Sequence, residues 1–187
     1  LVLGVVSFFN ILYGTLVGIS KFEVKDIEFH HPNLPKAFDG YRIVQLSDIH
    51  IGSWIGNEKP INELVELVNA QNPDLIVFTG DLVNQRSCEL EGFQNILSQL
   101  HAKDGVYSIL GNHDYGSYYH WKNLKEQVNN IDNLVRMQKA MGWKLLNNEY
   151  DILHHEGDSI ALIGVENDGE PPFSQFADLK KATKGTD

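Results

Sequence analysis

Three short stretches bring together side chains that could hold cations and move protons: Ser47-Asp48-Ile49-His50, Thr79-Gly80-Asp81 and Gly111-Asn112-His113-Asp114. Their carboxylate, amide and imidazole donors, without a thiolate among them, suit manganese, iron or zinc. Crowded together, such groups repel one another or stay unsatisfied unless cations compensate them. A carboxylate such as Asp81 has two oxygens and can bridge two ions, the arrangement that clamps the attacking and leaving oxygens of a phosphoryl displacement. Taken singly, each stretch has an ordinary explanation, because an Asp after a strand is usually a helix cap and an Asn-His pair usually a turn. Neither explanation accounts for all three at once.

Each stretch ends an apolar or β-branched run, and these runs are what must position the chemistry. Residues 43–47, 75–79 and 106–110 read as strands, the first of them as a buried one. Between the first two, Leu64, Val65, Leu67 and Val68 fall on one side of a helix. Between the second two, Leu90, Phe93, Ile96, Leu97 and Leu100 do the same. The order β-α-β-α-β predicts parallel strands with right-handed crossovers. The carboxyl ends of such strands share one edge, where open α/β sheets bind ligands. Asp48, His50, Asp81, Asn112 and His113 are therefore expected to converge. Asp48 and His50, two apart in extended chain, would point to one side, and Gly80 and Gly111 suit sharp turns or close approach to a ligand.

The balance of charge restricts the partners. The chain has 187 residues, 42% of them hydrophobic, and a net charge of −10, which suits one main globular domain. It disfavours a face that binds nucleic acid by neutralising phosphates, so no nucleic-acid partner is expected and phosphate recognition must be local. Lys122, Lys125, Arg136 and Lys139 are scattered among acids and read as a solvated helical face. The single cysteine, Cys88, excludes an internal disulfide framework and reads as a small residue near a helix start.

The chain opens with an uncharged stretch from Leu1 that runs to Lys21. As a helix, its first 19 residues would span roughly 28 Å, near the hydrocarbon thickness of about 30 Å. A membrane helix over residues 1–20 is the favoured expectation, over a buried helix or the apolar part of a signal segment. Gly14 and Gly18 offer a small-residue spacing for a second helix. Alternation at Phe22, Val24, Ile27 and Phe29 predicts a half-exposed strand, and Pro32, Pro35 and Gly40 mark a linker before residue 41. Residues 41–187 then form the main domain.

The set D-x-H, G-D and G-N-H-D, each at a strand end, resembles the calcineurin-like metallophosphoesterase superfamily over Gly40 to about Val165. The resemblance implies an α/β sandwich of two mixed β-sheets flanked by helices and a two-metal hydrolase of phosphomonoesters or phosphodiesters. It implies that Asp48 and His50 bind the first metal, that Asp81 bridges, and that Asn112 binds the second. His113 would face the substrate as general acid or phosphate stabiliser, with Asp114 orienting its imidazole. The apolar segment and "LPKAFDGYRIVQLSDIH" resemble more narrowly a bacterial membrane-associated branch, which includes enzymes acting on lipid or nucleotide-sugar diphosphates. A phosphate-ester substrate, lipid-linked or nucleotide-linked, and a place at the bacterial inner membrane follow as expectations.

One departure stands out, since the superfamily carries a further histidine on a later strand and two more in a G-H-x-H motif. None of these occurs here. His154 and His155 sit between alternating runs and read as an exposed hairpin strand and turn, a poor place for ligands. Truncation at both ends, with the C-terminal motifs cut away and the fragment itself inactive, is expected rather than evolved loss. An inactive phosphoesterase-like binding module, or a nucleotide phosphodiesterase or nuclease, remains the alternative. The aromatics of residues 115–123 could line a substrate cleft, but packing of a helix on the sheet is favoured for them, and His30, His31 and His101 read as surface residues.

Overall fold

Short β-branched runs alternating with helical-period segments fold as their order demands. The computed structural model describes residues 2–16, 18–171 and 174–186. It divides into two units, Leu1–Pro32 and Asn33–Asp187.

In the first unit, helix α1 (Val2–Leu16) carries Val5, Val6, Phe8, Phe9, Ile11 and Tyr13 exposed. Among the described residues no helix is long and apolar enough to cross a membrane. The 15 residues of α1 rise only about 22 Å, short of a bilayer core of about 30 Å. Leu1 and Val17 of the apolar stretch lie outside the described residues. Gly18 belongs to a separate 3-10 turn, Gly18–Ser20, so it does not share α1 with Gly14. The strand expected at residues 22–29 is not formed. Ile27 and Phe29 are largely exposed, and alternation alone makes no ladder without a neighbouring strand.

The second unit holds strands β1 (Ile43–Leu46), β2 (Leu75–Phe78), β3 (Val106–Ser108) and β4 (Lys144–Leu145), parallel and in that spatial order. Ile43 pairs with Leu75, Val77 with Tyr107 and Ser108 with Leu145. The antiparallel hairpin of β5 (Glu149–His155) and β6 (Asp158–Gly164) makes the second sheet. Two sheets with helices were expected, and each proves to be of one sense, parallel or antiparallel, rather than mixed. Leu75 and Tyr107 pack with Leu146 and Leu153, against Ile160 and Leu162, so the sheets share one apolar layer.

Helix α2 (Lys59–Asn69) buries Leu64, Val65 and Val68 of the stripe read from the sequence and adds Ile61, while Leu67 is only half-buried. Helix α4 (Leu124–Ala140) is capped by Asn123, whose side chain accepts from the Glu126 amide, and buries Leu134 and Met137. The expected helix over residues 90–100 is broken. Leu90, Phe93, Ile96, Leu97 and Leu100 are all buried, but Gly92 takes a φ of 89° and splits the stretch into a 3-10 turn, Ser87–Leu90, and the one-turn helix α3 (Gln94–Leu97). Only glycine enters that conformation at little cost. β1 also departs from expectation. It lies at the edge of the parallel sheet and Ile43 is 50% exposed, because a strand with one neighbour has only part of its surface covered. The last helix, α5 (Leu179–Ala182), is a single turn.

Candidate metal centre

The carboxyl ends of β1, β2 and β3 do share one edge, and their backbones stay paired beyond the strands. The Asp48 amide donates to the Gly80 carbonyl at 3.0 Å, His50 to Asp81 at 3.1 Å, and Ile51 to Leu82 at 2.9 Å. Asp48, His50 and Asp81 have φ values of 54°, 44° and 59°. The expected extended geometry at Asp48 and His50 is therefore wrong, although their side chains do meet. Their left-handed backbones turn them toward each other, a conformation uncommon for residues with a side chain and typical of functional sites.

One ligand atom from each of His50, Asp81 and His113 lies within 4.8 Å of the other two. His50 Nε2 is 3.9 Å from Asp48 Oδ1 and 3.9 Å from Asp81 Oδ2. Asp81 is buried, whereas the Asp48 side chain is 64% exposed and accepts a short hydrogen bond from the Ser47 hydroxyl. Among the described residues His50 is the only basic side chain within ion-pair distance of either carboxylate. A donor set of this kind, two carboxylates with imidazoles and no lysine or arginine, fits divalent cations.

The third motif is held by Asp81 and Asp114. Asp81 Oδ1 accepts from the His113 amide at 2.9 Å. The Asp114 carboxylate accepts from the amides of Asp81, Leu82, Val83 and Gly111 at 2.9 to 3.1 Å. Burial pushes its pKa up to about 7, against the lowering effect of the Gly111 and Val83 amides, with the nearby Asp81 charge adding to the rise. The imidazole contact expected of Asp114 is thus taken by other groups. His113 Nδ1 instead lies 2.6 Å from the Asn84 carbonyl oxygen. Asp114 ties the second motif to the third, and its four backbone donors leave its carboxylate no free lone pair for a ring.

Two glycines set the separation of these loops. A Cβ on Gly80, whose φ is 100°, would sit 2.3 Å from the Gly111 nitrogen. A Cβ on Gly111 would sit 2.2 Å from Asp81 Oδ1. The close approach expected at these glycines is between the two strand ends themselves.

Tyr118 also belongs to the centre. Asn112 Nδ2 donates to its hydroxyl at 2.7 Å, and its ring stacks on His113 with centroids 4.3 Å apart. His50 meets the same imidazole edge-on, at 4.7 Å. Packing, the favoured reading for the aromatic stretch, holds for Tyr115, which is buried with its hydroxyl on Glu166. Tyr118 instead stays partly exposed and packs on His113 rather than on the sheet. His154 lies on the exposed hairpin, as expected, and His155 packs against Phe38 and Tyr41.

The family model for calcineurin-like phosphoesterase matches residues 41–182. The chain belongs to this family. The calcineurin-like phosphoesterase domain is 33% identical over 127 residues to an uncharacterized metallophosphoesterase of Campylobacter jejuni, a match covering 68% of this chain and 30% of that protein. It is 36% identical over 103 residues to the UDP-2,3-diacylglucosamine pyrophosphatase LpxG of Chlamydia trachomatis, covering 53% and 31%. A transmembrane protein with metallophosphoesterase domain from Danio rerio is 36% identical over 104 residues, covering 56% and 24%. The chain matches between about a quarter and a third of the length of these relatives.

Sequence reasoning missed Asn84 and assigned Tyr118 too little. Asn84 acts through its backbone carbonyl, which residue type does not reveal. Tyr118 follows the third motif closely enough to reach it, but spacing does not distinguish a ring on the core from a ring on an imidazole.

Proposed function

We propose that this domain hydrolyses a phosphate ester at a two-metal centre built on the three strand ends. The observation that carries the reading is the meeting of His50, Asp81 and His113 ligand atoms within 4.8 Å. Asp48 and His50 would hold the first ion, Asp81 would serve both, and Asn112 would offer its amide oxygen to the second. Two divalent ions held by these residues would offset the carboxylate charge and supply Lewis-acid activation of the phosphoryl group and of water. His113 carries its proton on Nε2 to the departing oxygen, because Nδ1 is already engaged by the Asn84 carbonyl. After transfer, the neutral ring keeps the Nδ1 proton where that carbonyl accepts it.

The membership of His113 in the close triad favours a second reading, in which its Nε2 is itself a metal ligand. Substitution separates the two. In the manganese-loaded protein, His113→Ala should lower turnover of a chromogenic phosphodiester by about 100-fold to 10,000-fold while bound metal stays unchanged, as for loss of a general acid. Loss of metal together with turnover would make His113 a ligand, and unchanged turnover would remove it from the chemistry.

The name of the chlamydial relative points to a substrate class, a lipid-linked or nucleotide-linked diphosphate. The exposed apolar side chains of α1 support association with a membrane without requiring that α1 span it. Fractionating cells that express the protein with and without residues 1–20 tests this part, and equal recovery in the soluble fraction would discard it.

A further inference from the structure

We infer that Glu89, outside all three motifs, is a positioning residue that sets which nitrogen of the His113 imidazole carries the proton. Its carboxylate gathers the loop from which His113 is held. Oε2 accepts from the amides of Asn84 at 2.7 Å and Gln85 at 3.3 Å, and Oε1 accepts from Arg86 at 3.0 Å. Three successive backbone donors on one carboxylate fix the course of that turn, since an anionic acceptor holds each amide more strongly than a neutral one. The Asn84 carbonyl is thereby turned to His113 Nδ1. As a carbonyl oxygen accepts and cannot donate, it selects the tautomer with hydrogen on Nδ1 and the lone pair on Nε2. That tautomer is the one required whether Nε2 exchanges a proton with a leaving oxygen or binds a cation.

The first motif reaches the same loop. Gly52, two residues after His50, is so close to it that a Cβ would lie 2.6 Å from Asn84 Oδ1 and 2.6 Å from Glu89 Oε2. The Asn84 side chain also donates to the Ser53 hydroxyl at 3.0 Å, and its Oδ1 is buried without a hydrogen-bond partner among the described residues. The loop of residues 84–86 is therefore pressed between the stretch after the first motif and the Glu89 carboxylate. Little freedom remains in the direction of its carbonyls.

The inference rests on the place given to His113 in the proposed centre, but its test does not depend on turnover. Long-range nitrogen–proton spectra of the metal-free protein labelled with nitrogen-15 histidine, at alkaline pH, report the tautomer of each imidazole. The native protein should show His113 as the Nδ1–H form. In Glu89→Ala the ratio of Nδ1–H to Nε2–H should fall about fivefold, the loss expected for one neutral hydrogen bond. Glu89→Gln, with its carbonyl oxygen in the Oε2 place, keeps the acceptor for Asn84 and Gln85 and should remain within about twofold of the native ratio. Gly52→Ala displaces the same groups with the carboxylate present, and should shift the ratio as Glu89→Ala does. It decides the matter if Glu89→Ala fails to fold. An unchanged His113 tautomer in a folded Glu89→Ala or Gly52→Ala protein overturns the inference. In the manganese-loaded protein the shifted variants should lose kcat with KM unchanged. A shifted tautomer with unaltered kcat would sink the proton-transfer role of His113 and leave the positioning role of Glu89 standing.

Discussion

The two ends of the parallel sheet are built from similar residues and treat charge in opposite ways. At the amino ends, Asp74 takes the Lys103 ammonium and the Arg42 amide, Asp104 takes the Tyr41 hydroxyl, and Asp151 takes both Tyr107 and Lys144. Burial and the bonded carboxylate raise the pKa of Tyr41, and Tyr107 is raised in the same way. Asp151 is held below the ordinary carboxylate value, chiefly by the Lys144 hydrogen bond. At the carboxyl ends, Asp48 and Asp81 face imidazoles and, among the described residues, no ammonium or guanidinium. Carboxylates are bonded by ammonium or phenol groups at one edge and face only imidazoles at the other. The difference supports reading the carboxyl edge as a binding edge, by what it withholds as much as by what it contains.

The sharpest way to break the comparison is to remove an anion from the unbalanced end. Asp81→Ala should abolish metal binding measured by titration calorimetry and lower phosphodiesterase turnover by more than about 1,000-fold, since in the proposed centre this carboxylate would be shared by both ions. A variant that binds two ions and turns over normally would show that the bridge lies elsewhere.

A second, smaller effect concerns the buried carboxylate behind the centre. In Asp114→Asn one amide oxygen can serve two backbone donors, while the new NH₂ faces the other two. The fold should lose roughly 3 kcal/mol in urea denaturation, the cost of buried polar groups left unpaired. Loss within experimental error would mean that water replaces the carboxylate there.

The smallest effect belongs to the balanced end. With its folded-state pKa lowered, Asp151 contributes stability above the ordinary carboxylate range of about 4, and that contribution disappears as pH falls through the folded value. Asp151→Asn should therefore be less stable than the native protein at neutral pH by at most about 1 kcal/mol, because Lys144 is more than half exposed. The gap should close as the pH falls below about 4. A gap independent of pH would assign the effect to packing.

Much of this arrangement was legible beforehand because strand order and strand ends are coarse properties. Apolar runs at 43–47, 75–79 and 106–110, with amphipathic segments between, require parallel strands, and parallel strands bring Asp81 to His50. The left-handed turns at Asp48, His50 and Asp81 were not legible, since those residue types usually adopt other conformations and only their surroundings hold them there. The break at Gly92 was hidden by a helical spacing of apolar residues that survives in a folded-back path. The Asn84 carbonyl and the Glu89 carboxylate act on backbone, and no pattern of side-chain types records such contacts.

The contact of Gly80 with Gly111 has a consequence for the variation this sequence can bear. It works as a gauge, since even one methyl group at either place would wedge two strand ends apart and carry Asp81 away from His113. Selection on any reaction at this edge, for any substrate, would then return glycine at both positions from a randomised library, whereas the loops around them could diversify. The two smallest residues of the edge would be the last to change.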